Sequence, residues 1–173
     1  MEKIAVNRNV EMHLSLSRAD LWLFICLSTY FIMNGAQLWE TVIMTPAWTA
    51  APPASLVFFQ APYGLDFKVF WIVVHSCHEV IFLLALVFNW KIRARRLPLL
   101  ILFVVHVAIR VWTLAYFVPT IIEFQHLPFS NAIDPELVVK AAQWRHLNYL
   151  RVGLFFIVNL LFIPVFSLQS TQQ

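Results

Sequence analysis

The 173-residue chain is 61% hydrophobic and only 12% charged, about half the charged share of ordinary soluble domains. A single soluble core of this size cannot bury so much apolar surface, whereas lipid accepts it. The composition therefore excludes a soluble enzyme, and the formal charge of +3 does not indicate a nucleic-acid interface, because the basic residues sort by topology.

A helix that crosses the hydrocarbon layer needs about 20 apolar residues, and four segments qualify. The first runs from about Leu21 to Thr45, with Ser17 or Asp20 placed to cap it. Its start, Leu21–Met33, has the length of a signal-peptide core. The apolar run continues, however, and no small-residue cleavage site follows, so a retained helix is expected. The second segment runs from about Val69 to Trp90. The third starts at Leu97-Pro98, a first-turn proline, and ends before Pro119. The fourth opens on Asp134-Pro135-Glu136, an N-cap, a first-turn proline and a first-turn acid. Its apolar part covers about Ala142 to Phe166. The expected fold is all-α: one integral membrane domain, residues 1–173, built as a four-helix bundle.

Two connectors on one side are unusually oily. The first, PAWTAAPPASLVFFQAPYGLDFK, carries Pro46, Pro52, Pro53 and Pro62 around the apolar A-S-L-V-F-F. It is expected to form a hydrophobic outer loop or a short interfacial helix. The second is PTIIEFQHLPFSNAID. Lysines and arginines set orientation. Lys3, Arg8, Arg18, Lys91, Arg93, Arg95 and Arg96 fall on one side, against Lys68, Lys140 and Arg145 on the other. This bias places both termini in the cytoplasm, with a plasma (inner) membrane as the expected location. Cys26 and Cys77 fall within different spans, with no C-x-x-C or zinc spacing, and are expected to be small packing residues.

Polar residues inside the spans carry the functional signal. At about 100° per residue, His75, His78, Glu79 and Phe82 share a face of the second helix with Trp71 and Asn89, while Cys77 points away. His106, Arg110 and Thr113 share a face of the third. Trp144, Asn148, Arg151, Phe155 and Asn159 align on the fourth, and Asn34, Gln37, Glu40 and Thr41 on the first. Polar faces in lipid must turn toward one another. Counted by rise per residue, these groups pool in the outer half of the bundle, above an inner half of leucine, isoleucine and phenylalanine. Glu40 and Glu79 would balance Arg110 and Arg151. The competing reading is that these charges only clamp helices together.

Three chemistries suit such a pocket. His75, His78, Glu79, His106 and Glu40 make a mixed nitrogen and oxygen donor set of the kind that takes iron, copper or zinc. His75 or His78 facing His106 would hold a haem, which is the less favoured cofactor. Without a cofactor, His75, His78, Glu79, His106 and Arg110 would perform acid–base chemistry on a hydrophobic substrate. Gln37, Glu40, Trp71, Trp144, Asn148 and Arg151 would bind that substrate. No nucleophile motif, phosphate loop or redox pair is present, which disfavours acyl transfer, nucleotide chemistry and disulfide exchange.

The segment AAQWRHLNYLRVGLFFIVNLLFI, with Trp144, Asn148 and Arg151 spaced W-x3-N-x2-R, resembles the last segment of the anthrone-oxygenase-like family of small four-span membrane proteins. LWETVIMTPAWTAAPPASLVFF, from the first helix and its loop, is similar to members of the same group. The resemblance covers about a third of the chain. It implies a membrane enzyme that oxidises an aromatic or polyketide-like compound, with Trp144, Asn148 and Arg151 as pocket residues. His75, Ser76, Cys77, His78 and Glu79 have no counterpart in that pattern. Membrane sterol isomerases are an analogy of chemistry alone, since they also place histidine and glutamate in a bundle to shift protons. The expected partners are a small hydrophobic molecule and membrane lipid. The sequence leaves oligomeric state open, self-association included.

Overall fold

The structure, a computed structural model, describes residues 17–59 and 64–168. Pro62, Lys3 and Arg8 lie outside the described residues. Four long helices, each long and apolar enough to cross a membrane, make up the bundle: α1 Arg18–Trp48, α2 Lys68–Asn89, α3 Arg93–Gln125 and α4 Pro135–Ser167. Among the described residues there are no strands. The chain folds as the all-α membrane bundle its composition demands.

Local chemistry explains the helix ends. The Ser17 hydroxyl accepts from the Asp20 N–H at 3.1 Å and so caps α1. Asp134 Oδ1 accepts from the Glu136 and Leu137 N–H groups at 2.8 and 3.3 Å and caps α4. Two boundaries differ from expectation. Helix α3 begins at Arg93, so Pro98 lies inside it rather than in its first turn. The expected terminators Pro46 and Pro119 terminate nothing, because α1 continues to Trp48 and α3 to Gln125.

Both continuations use the same device. A π-helical turn, Glu40–Met44 in α1 and Thr113–Phe117 in α3, ends two residues before each proline. Thr45 N–H reaches back to the Glu40 carbonyl, and Val118 N–H to the Thr113 carbonyl. A proline ring normally collides with the carbonyl four residues earlier. The extra residue widens the turn and relieves that collision. Threonine hydroxyls also bond back to carbonyls one turn earlier in the same stretches: Thr49 to Thr45 at 2.6 Å and Thr120 to Tyr116 at 2.7 Å. As a result, much of the second connector is helix, and only its last part is loop.

Two apolar clusters hold the bundle. The inner one packs Leu23, Cys26, Tyr30, Phe82, Leu99, Phe155 and Phe162 among the helices. The outer one joins Trp48, Leu56, Phe117, Phe124, Ala141 and Trp144. Leu56 belongs to a short 3-10 helix, Ala54–Phe59, and is fully buried. The oily first connector therefore plugs the outer end of the bundle. It is tied to the second connector by the Asp134 N–H bond to the Pro52 carbonyl at 3.0 Å. Cys26 is buried as expected, but Cys77 is exposed on the surface of α2, so it is not a packing residue.

The inner end is not purely apolar. Arg95, 3% exposed, donates to Asp20 Oδ1 at 2.6 Å and Asn89 Oδ1 at 3.1 Å. It also donates to the carbonyls of Leu168 at 2.7 Å and Phe166 at 3.2 Å. One guanidinium thus ties the end of its own helix to the other three. The start of α1 and the end of α4 consequently lie on the same side of the bundle.

Candidate functional site

A cavity of about 480 Å³ opens in the outer half of the bundle, where the two clusters meet. Its polar wall comes from all four helices: Gln37, Glu40 and Thr41 of α1, His75 and Glu79 of α2, Arg110 and Thr113 of α3, and Arg151 of α4. Trp71 and Trp144 supply flat apolar walls, and Lys68 stands at the outer rim. The two π-helical turns bring Glu40, Thr41 and Thr113 to this wall, in keeping with the frequent use of such turns at functional sites.

A chain of three groups runs into the wall at Glu79. Its carboxylate Oε1 accepts from His106 Nε2 at 2.9 Å and from Arg110 Nε at 3.1 Å. With Nε2 donating, Nδ1 of the neutral ring is the acceptor, and the Tyr30 hydroxyl donates to it at 2.9 Å. Tyr30 and His106 are fully buried, so the chain has one end in the core and the other on the cavity. His75 stacks on Trp71, with ring centroids 5.0 Å apart, and its Nδ1 sits 3.3 Å from the Met33 sulfur.

Arg151 is held differently. It donates to Asn148 Oδ1 at 2.6 Å and, at a long 3.5 Å, to Thr113 Oγ1. The Phe117 ring lies 4.3 Å beneath its guanidinium carbon. Its buried Nε has no hydrogen-bond partner. Asn148 is fixed in turn by donating to Thr41 Oγ1 at 3.1 Å. Among the described residues Arg151 has no carboxylate within ion-pair distance, while Arg110 is paired to Glu79.

The expected site residues thus divide. His75, Glu79, Arg110, Gln37, Glu40, Trp71, Trp144 and Arg151 line one cavity. His78 and His106 do not. His78 is 2% exposed, lies against Tyr30 with ring centroids 4.5 Å apart, and neither of its ring nitrogens has a partner. His106 acts behind Glu79, and Asn148 behind Arg151. The expected balance of two carboxylates against two arginines is half made, since Glu79 pairs with Arg110 but Glu40 forms no ion pair with Arg151. Nor do the donors His75, His78, Glu79, His106 and Glu40 converge. Among the described residues no group of three or more histidine, cysteine, aspartate or glutamate side chains takes a metal-holding arrangement. The reason is directional: His78 and His106 turn into the core, and His75 turns onto Trp71.

Tyr30 and Phe117 are additions from the structure. Tyr30 lies four residues before Asn34 and seven before Gln37, so extending the polar face of α1 by one turn reaches it. In comparisons with known proteins, no family model, curated protein or solved structure matches the chain.

Proposed function

We propose that the protein is a membrane-embedded enzyme that takes a proton from a small apolar molecule and oxidises the resulting anion with dioxygen. The observation that carries this reading is the buried chain from Tyr30 through His106 to Glu79, whose open end is a cavity carboxylate. A carboxylate oriented by a histidine and an arginine is a base held in one place. The adjoining aromatic walls suit a flat apolar substrate. The resemblance to anthrone-oxygenase-like proteins supports the same chemistry. The lysine and arginine bias supports cytoplasmic termini, and a plasma (inner) membrane is our reading of the host.

The reaction balances with dioxygen as the oxidant. Glu79 accepts a proton from an acidic methylene, leaving a carbanion. The carbanion adds dioxygen to form a hydroperoxide once a proton returns, and loss of water leaves a carbonyl. One atom of the dioxygen becomes the carbonyl oxygen and the other leaves as water. A second reading is isomerisation, favoured by the second carboxyl in the cavity, Glu40. In that case Glu79 takes the proton from one carbon and Glu40 returns it to another.

Anthrone, whose methylene is acidic, is a suitable probe for protein in lipid nanodiscs. Oxidation should consume one dioxygen per carbonyl formed, above the rate in empty nanodiscs. Glu79→Gln should slow it by about a hundredfold or more. Incorporation of deuterium from heavy water without oxygen uptake would select isomerisation. Equal rates for Glu79→Gln and the unaltered protein would sink both readings.

A further inference from the structure

We infer that the cavity is built for an amphiphile carrying one anionic oxygen, seated on Arg151, with its apolar body reaching the lipid between α2 and α3. Charge is the first argument. Among the cavity-lining residues, Lys68, Arg110 and Arg151 face Glu40 and Glu79, with His75 the remaining titratable group. Three cations against two carboxylates leave one positive charge over. Arg110 is already engaged with Glu79, and Lys68 sits at the rim, where water or headgroups serve it.

Arg151 and Glu40 then remain on the wall with no ion pair between them, so Arg151 is the cation open to a ligand. It is oriented by Asn148 and stacked on Phe117, yet its Nε finds no partner and no carboxylate pairs with it among the described residues. A guanidinium fixed in place at a cavity wall, with only a long 3.5 Å contact on Nη1, is the arrangement that takes an oxyanion.

The cavity shape supplies the apolar half. Ile72 and Leu114 both line it and are 55% and 67% exposed on the bundle surface. Ser76 lies beside Ile72, and Val118, Ile121 and Ile122 continue the α3 side. The cavity therefore opens sideways toward lipid, at the loosely packed seam of α2 and α3. An amphiphile in the outer leaflet would reach Arg151 without crossing water. The subsite deepens the proposed function by naming its substrate class, but anion binding itself does not require Glu79 to act as a base.

Isothermal titration calorimetry on protein in phosphatidylcholine nanodiscs tests it, with 2-naphthoate, 2-naphthol and the uncharged 2-naphthamide as probes. Naphthoate or ionised naphthol should bind about tenfold or more tightly than the amide. Arg151→Gln should abolish that preference, and Arg151→Lys should keep part of it. An advantage for naphthoate alone assigns a carboxylate ligand, and one extending to ionised naphthol assigns an enolate-like oxygen. Both outcomes support the subsite. Equal affinity for acid and amide, a preference that survives Arg151→Gln, or no binding of any probe would overturn it. So would a large loss of thermal stability in both Arg151 variants, which would mark the arginine as structural. Glu79→Gln should retain the anion preference. If that preference holds while Glu79 proves dispensable for turnover, the proton-abstraction reading alone fails.

Discussion

Arg95 and Arg151 are both drawn into the bundle, at opposite ends, and the bundle treats them oppositely. Arg95 is fully engaged: Asp20, Asn89 and the last carbonyls of α4 use its donors. Arg151 has one short bond, one long one and an unpartnered nitrogen at a cavity wall. Burying a charge costs several kcal/mol unless partners compensate it. A finished arginine is a fastener. An unfinished one, held still by Asn148 over Phe117, marks where something else binds.

The largest test of this contrast is stability. Arg95→Met would strand the Asp20 carboxylate and two helix-end carbonyls. It should cost about 3–5 kcal/mol, because Asn89 Oδ1 and those carbonyls lose a charged donor together, while Asp20, 28% exposed, keeps only Ser17. Arg151→Met removes a charge with no carboxylate partner among the described residues but leaves Asn148 Oδ1 without its donor, and should cost no more than about 1–3 kcal/mol. Unfolding of both variants in bicelles gives the comparison directly, and equal losses would erase it.

A smaller effect is expected at Asn148, which touches Arg151 on one side and Thr41 on the other. Asn148→Ala should lower the preference for naphthoate over naphthamide by about tenfold, the worth of one hydrogen bond to a charged group. Binding of the amide should stay as it was. If acid and amide weaken together, Asn148 shapes the cavity rather than aiming the arginine.

The helical period made the polar faces legible, because a 3.6-residue repeat brings His75 and Glu79 or Asn148 and Arg151 to the same side. It could not divide a face. His78 lies within the same arc as His75 and Glu79, and only the packing of α1 decides that it meets Tyr30 while they meet the cavity. Arg95 was hidden for another reason. It stands among Lys91, Arg93 and Arg96, a pattern that reads as solvated charge. Its inward aim depends on α3 starting at Arg93, earlier than Pro98 suggests. Pro46 and Pro119 misled in the same way, because a wide turn that spares the carbonyl ahead of a proline depends on tertiary packing.

Tyr30→Phe is the smallest change and tests how the outer site is organised. The Tyr30 hydroxyl is the donor that keeps the His106 Nδ1 as an acceptor, so that Nε2–H points at Glu79. Without it, Nδ1 is left unpartnered in the core, costing about 1–3 kcal/mol of stability. Moving the proton to Nδ1 would not relieve that cost, because Nδ1–H would find no acceptor and the Nε2 lone pair would face the Glu79 carboxylate. The ring keeps Nε2–H but loses one of the two anchors that aim it. Turnover of the methylene probe should then fall less than tenfold, the typical worth of one neutral hydrogen bond, with a changed pH profile. Nitrogen chemical shifts of His106 should report an Nδ1 that has lost its hydrogen bond. A fall in stability with an unaltered Nδ1 shift and pH profile would mean that Tyr30 only fills space. The buried end of the chain would then resemble the Arg95 clamp, leaving Glu79, Arg110 and Arg151 as the whole of the working site.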